Sequence, residues 1–315
     1  MYTRKHLNGW MTCVLVCFAM VLLFSLTGCS TQPSEEDGIK EGGYPFTITD
    51  DMGRTVTFET APKKIVSLSP ANTEILFALG VSGKLVGRTD YCNFPAEVSE
   101  IPSVGTFATP NIEMILSLSP ELVVASDLID EGVLSQLDSV GIKAVVLQSQ
   151  SIEGVIENIL EIGKIVDANE EAKGITTAMQ SELNEIVELC KGAEKQRSVF
   201  IDLGDFYTAG DGSMFGDMIE KINGVNIAAG GGNPWIQLSK EEVIAKNPDV
   251  YISTFPTKEE IMGIAGFDTI SAVKNQNIFA YDVVSPEGDL LQRPGPRIID
   301  GVKLLANDVY PELFK

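Results

Sequence analysis

Histidine is nearly missing from this chain of 315 residues: the single copy, His6, falls in an N-terminal stretch that reads, from its charge and hydropathy pattern, as a leader. Ser-His-Asp and Cys-His catalysis are thereby excluded, and so is any histidine-ligated metal centre. Basic residues are scarce as well, 23 against 44 acidic, for a net charge of −21. A surface of that sign excludes nucleic acid as a partner. Of five cysteines, Cys13 and Cys17 lie in the leader. Cys29, Cys92 and Cys190 remain, at spacings that fit neither a disulfide framework nor a zinc site. Ala229–Gly232 is glycine-rich but lacks the Gly-Lys-Ser/Thr of a P-loop. Asp205, Asp211 and Asp217 do not have the spacing of an EF-hand. The sequence therefore predicts no bound metal and no cofactor.

What is present begins with Arg4 and Lys5, an apolar run over 11–24, and Leu26-Thr27-Gly28-Cys29. A basic start, an apolar core and small residues at the cut make a secretion signal. Its ending resembles the lipobox of bacterial lipoproteins, which implies cleavage before Cys29 and lipid on that residue. Residues 1–28 are then the signal, and residues 29–43 (ending K-E-G-G) a flexible tether. The expected place of work is outside the cell membrane, held to it through Cys29.

Beyond the tether, short β-branched runs alternate with helical patterns, which predicts α/β architecture with parallel sheets. Two stretches repeat each other. Asn111 and Ser239 are helix caps, each followed two positions on by a glutamate, Glu113 and Glu241. Then come aliphatic pairs, a proline (Pro120, Pro248), an acid (Glu121, Asp249) and an apolar strand. Two such units 128 residues apart predict two lobes built alike. Asn169–Lys191 carries no proline and lies between the copies; a helix of that length spans roughly 35 Å, enough to cross between lobes. The expected division is 44–168, a helix over 169–192, and 193–315. Val283–Pro296 reads as a long loop.

Ligands of open α/β sheets sit beyond the carboxyl ends of the strands. The loops expected there hold Tyr91, Phe107, Phe206, Tyr207, Trp235 and Arg293. Aromatics with one arginine suit a large, partly planar ligand. Trp235 stands out, since no core periodicity asks for it in G-G-G-N-P-W. Glu113 and Glu241 both favour a helix dipole, and a matched exposed acid on each lobe also suits docking on a symmetric basic partner. A carboxylate-dependent secreted hydrolase is the rival class, to be recognised by a carboxylate pair ~5–10 Å apart in the cleft. A structural or adhesive lipoprotein would have no ligand-sized cleft.

Ile65–Gly80, V-G-R-T-D-Y-C-N-F-P, N-I-E-M-I-L-S-L-S-P-E-L-V-V-A and P-W-I-Q-L-S-K-E-E-V resemble the ABC-importer substrate-binding proteins for cobalamin, ferric siderophores and haem. The resemblance runs from about Phe46 to Tyr310. It implies two Rossmann-like lobes joined by a single long helix, a ligand cleft between them, and a monomer without catalytic activity. It also implies an ABC permease with its ATPase as partners, and a cobalt or iron chelate as cargo. The nearest likeness is to cobalamin-binding proteins, where Tyr91 and Trp235 match cleft aromatics and Phe107 stands in for tryptophan. Glu113 and Glu241 match the lobe-surface glutamates that meet permease arginines. Ser126 replaces another cleft tryptophan, and Arg293 is placed to face a ligand carboxylate or catecholate. A corrinoid is thus expected first, a ferric siderophore second and haem third.

Overall fold

The computed structural model describes residues 43–314. The expected signal, Cys29 and the tether up to residue 42 lie outside the described residues. The described chain opens with an antiparallel hairpin, β1 (Phe46–Thr49) and β2 (Thr55–Phe58). Asp50 organises its turn, accepting from the Met52 and Arg54 N–H groups at 3.1 and 2.9 Å. The same carboxylate accepts from Val146 N–H at 3.1 Å, which stitches the hairpin to the neighbouring sheet.

Alternating elements follow: β3 (Ile65–Ser67), α1 (Pro70–Ala78), β4 (Leu85–Arg88), α2 (Ile112–Leu118), β5 (Leu122–Ala125), α3 (Glu131–Ser139) and β6 (Lys143–Val146). The strands form a parallel sheet in the order β4-β3-β5-β6. Two helices come next, α4 (Ile152–Val166) and the long α5 (Asn169–Cys190). The second half runs β7 (Ser198–Asp202), β8 (Tyr207–Ala209), α6 (Met214–Lys221), β9 (Val225–Asn226), β10 (Trp235–Gln237), α7 (Lys240–Lys246), β11 (Val250–Ser253), α8 (Lys258–Met262), α9 (Ser271–Lys274), β12 (Ile278–Ala280), α10 (Pro286–Gln292) and α11 (Ile298–Val309). Its parallel sheet is ordered β9-β7-β11-β12. Counted within each half, both orders are 2-1-3-4, so the molecule has two lobes of like topology.

The strands read as unbroken apolar runs because both faces are covered. Alternate residues point to opposite sides. Val199, Ile201, Val250 and Ile252 face a core shared with α5, α11 and the first sheet's Leu122 and Val124. Phe200 and Tyr251 face the other way, onto Ile261 and Phe267. The shared core runs from one sheet to the other through α4 and α5, so the long helix is packed along its length rather than spanning open solvent.

The repeated stretches are alike in detail. Asn111 Oδ1 accepts from Met114 N–H and Ser239 Oγ from Glu242 N–H. Each helix ends on a left-handed residue, Ser119 (φ 50) and Asn247 (φ 46), followed by a buried proline. Each acid then binds the start of the neighbouring first strand. Glu121 accepts from Lys63 N–H at 2.7 Å and Asp249 from Ser198 N–H at 3.0 Å. One expectation fails: Val283–Pro296 is not all loop, because α10 occupies Pro286–Gln292. Ser285 caps it, accepting from Gly288 N–H, and Pro286 takes the first turn, where its missing N–H costs nothing.

Candidate binding cleft

A cleft of about 400 Å³ lies where the strands of both lobes end. The first lobe contributes Ser69 after β3, Ser126 and Asp127 after β5, Gln148 after β6, and Asn72 and Asn158 from α1 and α4. Ala71, Leu128 and Leu147 also belong to this wall, and its uncharged polar members are hydroxyls and amides already oriented by the protein. Asn72 Nδ2 donates to the Ala125 carbonyl at 3.1 Å. Asn158 Nδ2 donates to Ser149 Oγ at 2.7 Å, and Gln148 Nε2 to Asp127 at 2.7 Å. The opposite wall is mostly apolar, with Leu203, Met214, Phe215, Trp235 and Leu291, and carries one amide, Gln292. Asp127 is the one charged residue among the described lining, and no lysine or arginine joins it. A depression of about 610 Å³ beyond β11 and β12 is larger, but the second lobe alone walls it, so the interlobe cleft is the better candidate site.

Trp235 is held by a small ribbon. β8 and β10 pair antiparallel, with Trp235 opposite Ala209 and Tyr207 opposite Gln237. Tyr207 and Trp235 are therefore diagonal neighbours on one face. Their rings lie parallel within 9°, centroids 6.3 Å apart, and both are part-exposed. Asp211 anchors the glycine loop before Trp235, accepting from Gly230 and Gly232 N–H at 2.8 and 3.2 Å. The ribbon also needs glycine at 210, where a Cβ would stand 2.4 Å from the Asn233 carbonyl oxygen. Beneath it, buried Asp202 accepts from Tyr251 Oη at 2.6 Å and from Gly204 and Phe206 N–H. Burial pushes the Asp202 carboxyl above its ordinary value, against the pull of those donors.

The predicted residues do not all converge. Trp235 lines the cleft; Tyr207 lies parallel to it but is not part of the cleft lining. Phe206 turns away: left-handed Asp205 and Phe206 (φ 50 and 60) send its ring towards Phe267, 5.8 Å off, in the second lobe's outer core. Tyr91 and Phe107 pair with each other at 5.2 Å and are not part of the cleft lining. Arg293 offers no free cation. Its guanidinium donates to Glu74 at 3.0 Å and Asn93 Oδ1 at 2.7 Å and pairs with Asp289 at 2.7 Å. Glu113 and Glu241 occupy the second position of α2 and α7 and are both exposed. Sequence reasoning placed Ser126 at the cleft by resemblance alone and missed the rest of the hydroxyl and amide set, although the rule that pointed to the aromatic loops points equally to Ser69 and Gln148. Cys92 and Cys190 are buried and unpaired, and burial pushes the Cys190 thiol up to about 11. No cluster of three or more His, Cys, Asp or Glu fit for a metal ion occurs among the described residues.

The model of the periplasmic binding protein family matches residues 65–284. This chain belongs to that family. It is 35% identical over 303 residues to the uncharacterized ABC transporter substrate-binding lipoprotein YvrC of Bacillus subtilis, covering 92% of this chain and 94% of that one. It is 32% identical over 255 residues to the vitamin B12-binding protein of Salmonella choleraesuis, covering 78% and 90%. Among solved structures, a possible iron-binding (periplasmic solute-binding) protein from Staphylococcus epidermidis superposes with a TM-score of 0.71 at 32% identity, over 80% of this chain and all of that one. As a periplasmic binding protein, the chain is a solute-binding component of ABC import and not an enzyme. The hydrolase reading falls away on that ground.

Proposed function

We propose that this periplasmic binding protein captures a corrinoid outside the cell membrane, tethered there by lipid on Cys29, and delivers it to an ABC permease with its ATPase. The observation that carries the corrinoid reading is the pairing of unlike walls. Trp235, with the Tyr207 ring parallel to it outside the lining, shares the cleft with the hydroxyls and amides of the first lobe, and no lysine or arginine is among the lining residues. A corrinoid has apolar faces and a rim of neutral carboxamides, so it satisfies both walls. A polyanionic chelate would meet Asp127 and nothing to neutralise it. Leu128, 60% exposed at the mouth, extends the apolar surface for a ligand wider than the cleft. The likeness to a vitamin B12-binding protein supports the same cargo.

A second reading, a ferric chelate or haem, is favoured by the likeness to the possible iron-binding protein. One titration decides: cyanocobalamin, a ferric hydroxamate, a ferric catecholate and haem, each against the purified protein by calorimetry. Cyanocobalamin is expected to bind tightest; preference for an anionic chelate overturns the corrinoid reading. For delivery, the acids matched across the repeat are the docking points. Glu113→Ala with Glu241→Ala should keep ligand affinity and lose uptake, and normal uptake rules the docking role out. Cys29→Ala should release the protein from the membrane fraction; retention would argue against the lipid anchor.

A further inference from the structure

Beside the cleft lining, the lobes are joined by a buried ionic network. Glu74, on α1 of the first lobe, has a side chain only 2% exposed. Its Oε1 accepts from Arg293 Nη1 at 3.0 Å and from Arg297 Nη2 at 2.7 Å, and its Oε2 from Arg297 Nε at 2.8 Å. Both arginines belong to the second lobe, after α10. Arg293 also donates to Asn93 Oδ1 at 2.7 Å and towards the Tyr91 carbonyl at 3.4 Å. Asn93 Nδ2 returns to Asp289 Oδ2 at 3.3 Å. The Arg297 guanidinium lies 3.8 Å from the centroid of the Phe94 ring. Two carboxylates meet two guanidinium groups, so the network is neutral as a whole.

A buried pair of this kind adds little net stability, because desolvation offsets its attraction, yet breaking it strands a charge. Its planar, bidentate geometry is satisfied in one relative position only. Another ion pair, Lys221 of α6 with Glu153 of α4, is half exposed and open to screening. The buried network also grips the loop at 91–94, which carries Tyr91.

We propose that Glu74, Arg293 and Arg297 form an interlobe latch that sets the cleft width and positions the Tyr91 loop. The width follows from the fold; the effect on ligand release rests on the corrinoid reading. All three are positioning residues.

The test uses nitroxides at Ser135→Cys and Lys274→Cys, exposed sites on α3 and α9, with distances read by pulsed dipolar spectroscopy. Cys29→Ala removes the thiol of the tether, and Cys92 and Cys190 are buried and escape labelling. The parent should give one narrow distance. Glu74→Gln should widen the distribution at least about twofold and speed cyanocobalamin release roughly tenfold with little change in capture, as expected when a positioned interface loosens. An apolar replacement, Glu74→Met with Arg293→Met and Arg297→Leu, keeps the site filled and guards against misfolding of the charged variants. A merely structural role would lower the melting temperature without widening the distribution. Distributions that superimpose on the parent's in a folded variant overturn the latch. If the parent does not bind cyanocobalamin, the corrinoid reading fails, and the distance measurement still decides the latch.

Discussion

The two lobes share strand order, repeat and caps, yet most of their buried acids are partnered differently. In the first lobe buried carboxylates meet arginine: Asp50 pairs with Arg54 at 2.6 Å, and Glu74 with Arg293 and Arg297. In the second, two of three meet tyrosine: Asp202 accepts from Tyr251, and Asp308 from Tyr281, while Asp289, in the interlobe network, pairs with Arg293. A phenol supplies a hydrogen bond but no compensating charge, so burial wins at Asp202 and Asp308 and pushes both carboxyls up, Asp308 to about 6. At Asp50 burial also pushes upward, but the Arg54 and Val146 N–H groups and the Arg54 guanidinium outweigh it, and the carboxyl lies below its ordinary value. The lesson is that a common topology leaves electrostatics free to diverge. The cleft shows the same divergence, amides on one wall and aromatics on the other.

Opposite shifts predict opposite responses to pH, and this is the largest effect expected. Asp308 binds its proton more tightly folded than unfolded. Its contribution is fully present below the ordinary pKa of 3.8 and is lost as pH rises through about 6. The whole difference is worth up to about 3 kcal/mol. Asp50 behaves in reverse: its contribution is present above the unfolded pKa and lost as pH falls through the depressed folded value. Urea unfolding from about pH 2.5 to 7 should show Asp308→Asn gaining on the parent as pH rises. Asp50→Asn should fall furthest behind at neutral pH and close the gap in acid. Two gaps that do not vary with pH would remove the contrast between arginine-paired and tyrosine-paired acids.

The next effect concerns the walls. Trp235→Ala removes the ring that lines the cleft and should cost roughly 2 kcal/mol, about 30-fold in affinity for whichever chelate binds. Asn72→Ala on the facing wall removes one polar contact and should cost about 1 kcal/mol. The sharper difference is in selectivity. Losing Asn72 should narrow the preference for amide-bearing over anionic chelates, whereas losing Trp235 should weaken all alike. Calorimetry on both variants checks this; equal losses, with selectivity kept, would mean that the walls are not specialised.

Much of the architecture was legible, for local reasons. Caps, the prolines at 120 and 248, and runs such as Leu122–Ala125 and Val250–Ser253 mark their own boundaries. The site was less so. Arg293 read as a ligand group because its partner Glu74 lies 219 residues earlier, and nothing local announces the pairing. Phe206 read as a cleft ring because the left-handed turn that buries it uses ordinary residues, Asp205 and Phe206, with no glycine at either position to signal it. The β8–β10 ribbon escaped because three-residue strands are too short to show alternation. Helix α10 carried a readable start, Ser285-Pro286, but Gly288 within its first turn made it look like a loop.

The smallest effect tests how alike the repeats are. Asp249 and Glu121 hold equivalent places, each accepting from backbone at the start of the first strand of its sheet. Asp249 does more: it accepts from Ser198 N–H at 3.0 Å and Ser198 Oγ at 3.1 Å and is half-buried. Glu121 accepts from Lys63 N–H alone and is exposed, so water can replace it. Alanine at 249 strands a partly buried N–H and should cost about 1–1.5 kcal/mol, while alanine at 121 should cost about 0.5 kcal/mol. Equal losses on chemical denaturation would mean that exposure does not distinguish the two copies. A larger loss at 121 would place the more critical strand anchor in the first lobe, where the buried network at Glu74 also joins the lobes.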